Sequence, residues 1–173
     1  MKKTDIINLL IEKNDYKSYL EIGVQDSTNN FDKIKTEEKV GIDPDPESDA
    51  EVKLTSDAFF EENEKMFDII FIDGLHEDHQ VYKDIINSLK YLNEKGMIIC
   101  HDVNPHCEEI QRVPRETIEW TGNGWKAFVK TRLERDDLKM YVIDTDYGCG
   151  VIKKKENYSF KEGDLDFSAY NYT

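Results

Sequence analysis

The 173-residue sequence predicts an α/β fold: a mostly parallel seven-stranded sheet with helices on both faces and an antiparallel C-terminal strand. Three observations predict it. Short apolar runs alternate with amphipathic stretches along most of the chain, the pattern of strands joined by crossover helices. The run from Phe67 to Ile72 is almost continuously apolar, as a strand buried on both faces should be. The last two runs, Met140 to Ile143 and Cys149 to Ile152, are separated by residues 144–148 alone, which suffices for an antiparallel pair and is too short for a crossover.

The elements follow in order. Thr4 can cap a first helix whose apolar face is Ile6, Ile7, Leu10 and Ile11. Residues 19–23 form the first strand, and Ser27 then caps a short helix holding Phe31 and Ile34. Residues 39–43 form a second strand, stopped by Pro44 and Pro46. Val52 to Leu54 is a short third strand, and residues 56–65 read as a helix with Phe59 and Phe60. The strand at 67–72 ends on Asp73 and Gly74. Residues 78–93 carry Val81, Ile85, Leu89 and Leu92 at helical spacing, with Gly96 closing the helix. Met97 to Cys100 is the fifth strand, ending at His101 and Asp102. Pro114 suits the first turn of a helix running to Trp120. Residues 121–124 interrupt it, and another helix runs from Trp125 to about Arg135. The closing pair completes seven strands, a Rossmann-like domain over residues 1–155. Residues 156–173 are a polar, aromatic tail, docked or partly disordered.

Charge bounds the partners. Lys plus Arg number 23 and Asp plus Glu 37, so the formal charge is 23 − 37 = −14. A polyanion is repelled by most of such a surface, which argues against nucleic acid and anionic membrane. The apolar stretch at residues 6–11 is too short to span a bilayer and precedes no small-residue cleavage site. Cys100, Cys107 and Cys149 are an odd number with no framework spacing, so a reducing, cytoplasmic setting is expected. Assembly into a homo-oligomer stays open.

In an open α/β sheet, ligands bind at the carboxyl ends of the strands. Here four strands end on costly polar residues: Glu21 with Gly23, Asp43, Asp73, and His101 with Asp102. Asp43 comes twenty residues after Gly23, the placement of a carboxylate that accepts both hydroxyls of a ribose. Gly23 lets the backbone approach a ligand, and Glu21 can hold an ammonium or order the turn. The dinucleotide fingerprint is absent, because the chain reads Gly23-Val24-Gln25-Asp26-Ser27.

These segments resemble the motifs of class I S-adenosylmethionine-dependent methyltransferases. Residues 19–25 resemble their first motif and residues 40–44, with Asp43, their second. Residues 67–76 and 96–102 resemble a branch that includes sugar and macrolide O-methyltransferases, and the likeness covers about residues 17–153. One departure is Ser27, which stands where that family often has a second glycine. The resemblance implies S-adenosylmethionine as cofactor, with Glu21, Gly23, Asp43, Ser56, Asp57 and Asp73 around it. It implies a small-molecule acceptor, which could be a sugar, and His76 and Asp73 as catalytic residues. It also implies that Asp73, His101 and Asp102 could hold a divalent ion such as magnesium or manganese. His79 and His106 read as surface residues. Trp120 and Trp125 read either as acceptor-covering aromatics or as core. The competing readings are a catalytically silent cofactor-binding module and a metal-dependent hydrolase built on His76, His101 and Asp102.

Overall fold

A computed structural model describes residues 1–155; the tail at 156–173 lies outside the described residues. Six strands form one sheet: β1 (Ser18–Ile22), β2 (Glu38–Ile42), β3 (Phe67–Ile72), β4 (Leu92–Cys100), β5 (Leu138–Ile143) and β6 (Cys149–Lys154). Their order is β2-β1-β3-β4-β6-β5, with only β6 antiparallel to its neighbours. The seventh strand expected at Val52 to Leu54 is reduced to a single parallel bridge between Val52 and Ile42. The segment has no room to extend, because Thr55 already caps the next helix, accepting a hydrogen bond from the Ala58 N–H.

Four helices flank the sheet: α1 (Lys3–Asn14), α2 (Ser56–Glu62), α3 (Asp78–Lys90) and α4 (Trp125–Glu134). Alternation along the strands divides the core in two. Ile69, Phe71 and Ile99 face one way and meet Ile6, Ile7 and Ile11 of α1. Ile70, Ile72 and Ile98 face the other way and meet Phe60 of α2, Val81, Ile85 and Leu89 of α3, and Ala127 and Phe128 of α4.

The structure departs from the local signals at several boundaries. Thr4 lies inside α1 and does not cap it; its hydroxyl donates to Asn30 Oδ1 at 2.7 Å, and Asp5 instead accepts from the Lys2 N–H. Ser27 opens a 3-10 turn capped by Asp26, and Phe31 sits in a second such turn. Beyond Gly23, the residue of the first loop with positive φ is Gln25 (φ 50°), so the second position that favours glycine is 25 and not 27. α3 stops before Tyr91, and Gly96 lies within β4. No helix forms at 114–120. There the Arg115 side chain donates to Thr117 O, the Thr117 hydroxyl to Glu119 O, and the Trp120 indole to Arg112 O, bonds that compete with a helical ladder.

Candidate active site

Register builds the site. Ile42, Ile22, Ile72 and Cys100 pair across β2, β1, β3 and β4, so the residues that follow them share one edge. The chain must leave that edge sharply, and Gly23 allows it. Its φ is +89°, and a Cβ there would lie 2.4 Å from Asp73 O, so no side chain fits between the two strand ends.

Above this edge opens a cleft of about 750 Å³. All nine residues expected from the sequence line it: Glu21, Gly23, Asp43, Ser56, Asp57, Asp73, His76, His101 and Asp102. At one end, Asp43 accepts hydrogen bonds from the Gln25 and Asp45 N–H groups, both at 2.9 Å, so it fixes both loops bordering its own pocket. Glu21 is buried, accepting from the Tyr19 hydroxyl at 2.5 Å and Asn30 Nδ2 at 2.9 Å. Burial pushes its carboxyl up to about 7 despite those two hydrogen bonds. Ser56 donates to buried Asp84 Oδ1 at 2.5 Å, while Gln80 Nε2 donates to Ser56, Asp57 and Asp84. The Ser56 hydroxyl is thus committed to the protein, and Asp57 also pairs with Lys83 at 3.0 Å.

At the other end the carboxylates and imidazoles interleave. His76 Nδ1 is 2.9 Å from Asp102 Oδ2 and 3.2 Å from Thr121 O. Both are acceptors, so Nδ1 carries the proton of the neutral ring, and Nε2 has a lone pair whenever the ring is neutral. Nε2 lies 3.6 Å from Asp73 Oδ1. His101 Nδ1 is 3.1 Å from Asp73 Oδ1 and from Asp102 Oδ1. Desolvation opposes charge on both imidazoles, but Asp102 and Asp73 outweigh it and raise both above the ordinary histidine value. For Asp73, burial favours the neutral acid, yet His101, Lys3 and His76 hold the carboxyl well below its usual range.

The roof comes from the connection after β4. Trp120 stacks on His76, with ring centroids 5.5 Å apart and planes at 20°. Gly122 (φ +62°) would carry a Cβ 2.2 Å from His76 O, so glycine is what lets the roof close onto the β3 loop. The two tryptophans divide: Trp120 lines the cleft, while Trp125 packs against the core and donates to Gln111 Oε1 at 2.7 Å. His79 and His106 are exposed.

The donor atoms that gather within 4.8 Å of one another are those of Asp73, His76 and Asp102. His101, expected as the third ligand, falls outside that group; its Nδ1 is turned onto Asp73. Sequence reasoning missed Lys3, Asn30, Gln80, Asp84 and Asp146. Asp84 had a signal, an acid on the apolar stripe of α3 beside Val81 and Ile85. Lys3 and Asp146 had none.

An α/β domain whose parallel strand ends carry a ribose-type acid and a glycine turn is a nucleoside-cofactor domain. Residues 10–103 match the family described as a methyltransferase domain. The chain belongs to this family and is a class I S-adenosylmethionine-dependent methyltransferase. No curated protein matches the sequence. Among solved structures, a methyltransferase of Podospora anserina with SAH bound is 18% identical, with a TM-score of 0.65, and the match covers 89% of this chain and 78% of that one. An O-methyltransferase of Bacillus cereus in complex with SAH is 15% identical, TM-score 0.65, covering 88% and 80%. The O-methyltransferase of Streptomyces achromogenes involved in tomaymycin synthesis, in complex with SAM, is 15% identical, TM-score 0.64, covering 89% and 80%. These likenesses are likenesses of fold. No helix among the described residues is long and apolar enough to cross a membrane.

Proposed function

We propose that the enzyme methylates a hydroxyl of a small molecule, with His76 accepting the proton. The observation that carries this reading is the single cleft joining Asp43 and Gly23 at one end to His76 and Asp102 at the other. Glu21, Gly23 and Asp43 suit a ribose and an ammonium, and SAH- or SAM-bound neighbours of the same fold support S-adenosylmethionine as the ligand that brings them. When bound, S-adenosylmethionine supplies an electrophilic methyl group on sulfur. Asp102 orients the His76 ring through Nδ1, leaving Nε2 to take the acceptor's proton. Asp73 and Asp102 stabilise the imidazolium that results. Trp120 lines the cleft stacked on His76 and so borders the acceptor's place, for which a sugar is the class the sequence resemblance favours. The three cysteines are free thiols, in keeping with a cytoplasmic enzyme.

A second reading adds a divalent ion such as magnesium or manganese. Asp73, His76 and Asp102 bring donor atoms within 4.8 Å of one another, and Asp102 Oδ1 is buried without a hydrogen-bond partner among the described residues, with His101 Nδ1 3.1 Å away. Held there, the ion would act as a Lewis acid that lowers the pKa of the acceptor hydroxyl. It would also occupy His76, so the two readings exclude each other.

The test is turnover of methyl-labelled S-adenosylmethionine with a panel of hydroxylated acceptors. His76→Ala should cost about 10²–10⁴ in kcat while its affinity for S-adenosylhomocysteine in calorimetry stays that of the wild type. Full turnover in His76→Ala removes the base from the mechanism.

A further inference from the structure

Two carboxylates on adjacent strand ends, Asp73 and Asp102, repel each other unless a cation lies between or beside them. Besides the titratable His76 and His101, the chain supplies a permanent one from its first helix. Lys3 Nζ is 2.6 Å from Asp73 Oδ2 and 5.7 Å from the centre of the Phe71 ring. Lys3 and Asp73 are only 21% and 13% exposed, so the contact is sheltered from water.

The turn of α1 that carries the ammonium is held in place from several sides. The Lys3 N–H donates to Asp146 Oδ2 at 2.8 Å, and the Thr145 hydroxyl donates to Met1 O at 2.6 Å. Thr4 ties the same turn to Asn30, while Ile6 and Ile7 are buried against the sheet. The start of α1 is thus pinned between the loop after β1 and the turn joining β5 to β6.

Both oxygens of Asp73 are consequently engaged, Oδ2 by Lys3 and Oδ1 by His101. Asp102 Oδ2 faces His76, and Asp102 Oδ1 makes no hydrogen bond among the described residues, although His101 Nδ1 stands 3.1 Å from it. A divalent ion at this cluster needs Asp73, and a second cation on the same carboxylate opposes it. A short, charge-assisted N–H···O contact is also the strong kind to displace.

We propose that Lys3 is a built-in counter-cation for the Asp73–Asp102 pair, holding the place of a divalent metal ion so that the wild-type chain binds such an ion only weakly. The inference rests on the geometry of this cluster and not on the methyl-transfer reading, and its test involves no turnover.

The probe is manganese(II) chloride alone, titrated by calorimetry into the full chain. Lys3→Met should bind the ion roughly tenfold or more tighter than wild type, and Lys3→Arg, which keeps the charge, should bind as weakly as wild type. Adding Asp102→Asn to Lys3→Met should abolish the gain and so locate the ion in this cluster. Circular dichroism checks that each variant is folded, and Lys3→Gln repeats the test if Lys3→Met is not. The wild type gives an independent arm. Its Lys3 ammonium should give a slowly exchanging ¹⁵N resonance that persists through titration with magnesium to millimolar levels. Equal manganese affinity in wild type and the neutral variant, including no binding by either, overturns the proposal, as does loss of the ammonium resonance at micromolar magnesium.

Discussion

Glu21 sits within β1, its carboxylate accepting hydrogen bonds from Tyr19 and Asn30 and lining the cleft. Burial raises its pKa from 4.5 to about 7. The folded chain therefore binds more protons at Glu21 than the unfolded chain does between those values, and stability falls as pH rises through that window. Glu21→Gln should flatten this loss, which thermal denaturation followed across pH will show. If Glu21 receives the cofactor's ammonium, it must ionise on binding. Calorimetry with S-adenosylhomocysteine at about pH 6, in buffers of different ionisation enthalpy, should then register proton release, and Glu21→Gln should lose it. Pure proton-neutral binding by wild type would count against the ammonium role. Glu21, Asp43, Asp73 and Asp102 were legible because four polar strand ends on one edge have few bland explanations together, although any one alone reads equally well as a helix cap. Gln80 was not, since a glutamine near the start of an amphipathic helix looks solvated until α2 is packed beside it.

At the scale of elements, α3 is the clearest case of periodicity becoming packing. Val81, Ile85 and Leu89 face the sheet, and Ile85 is fully buried among β-strand residues. Ile85→Ala should destabilise the fold by about 2–5 kcal/mol, read as a shift in the urea midpoint with an unchanged slope. A smaller effect would mean that the core collapses around the site. Where the sequence misled, the cause was also local. Leu92 continues the apolar spacing of α3, yet it pairs with Phe67 as the first residue of β4, because the helix has already ended at Tyr91. Pro114 satisfies the statistics of a helix start, but side chains of the same segment take up the backbone groups that a helix would need.

Over the molecule as a whole, every strand among the described residues and every expected site residue lies before residue 156. A chain ending at residue 155 should therefore bind S-adenosylhomocysteine with an affinity within about threefold of the full chain, a difference of less than about 1 kcal/mol. A folded truncation that fails to bind would assign residues 156–173 to the site. By itself the sequence determined the alternation of strands and helices, the shared edge of four strand ends and the polar residues that line the cleft there. Those properties follow from periodicity and from residues close together in the chain. Only the tertiary structure decided that β6 enters between β4 and β5, which carries Asp146 to within 3.7 Å of His101. It also decided that Lys3, seventy residues from Asp73, closes on that carboxylate. Contacts at such separations leave no periodic trace in a single sequence, because they are set by how faces pack and not by which residues are neighbours.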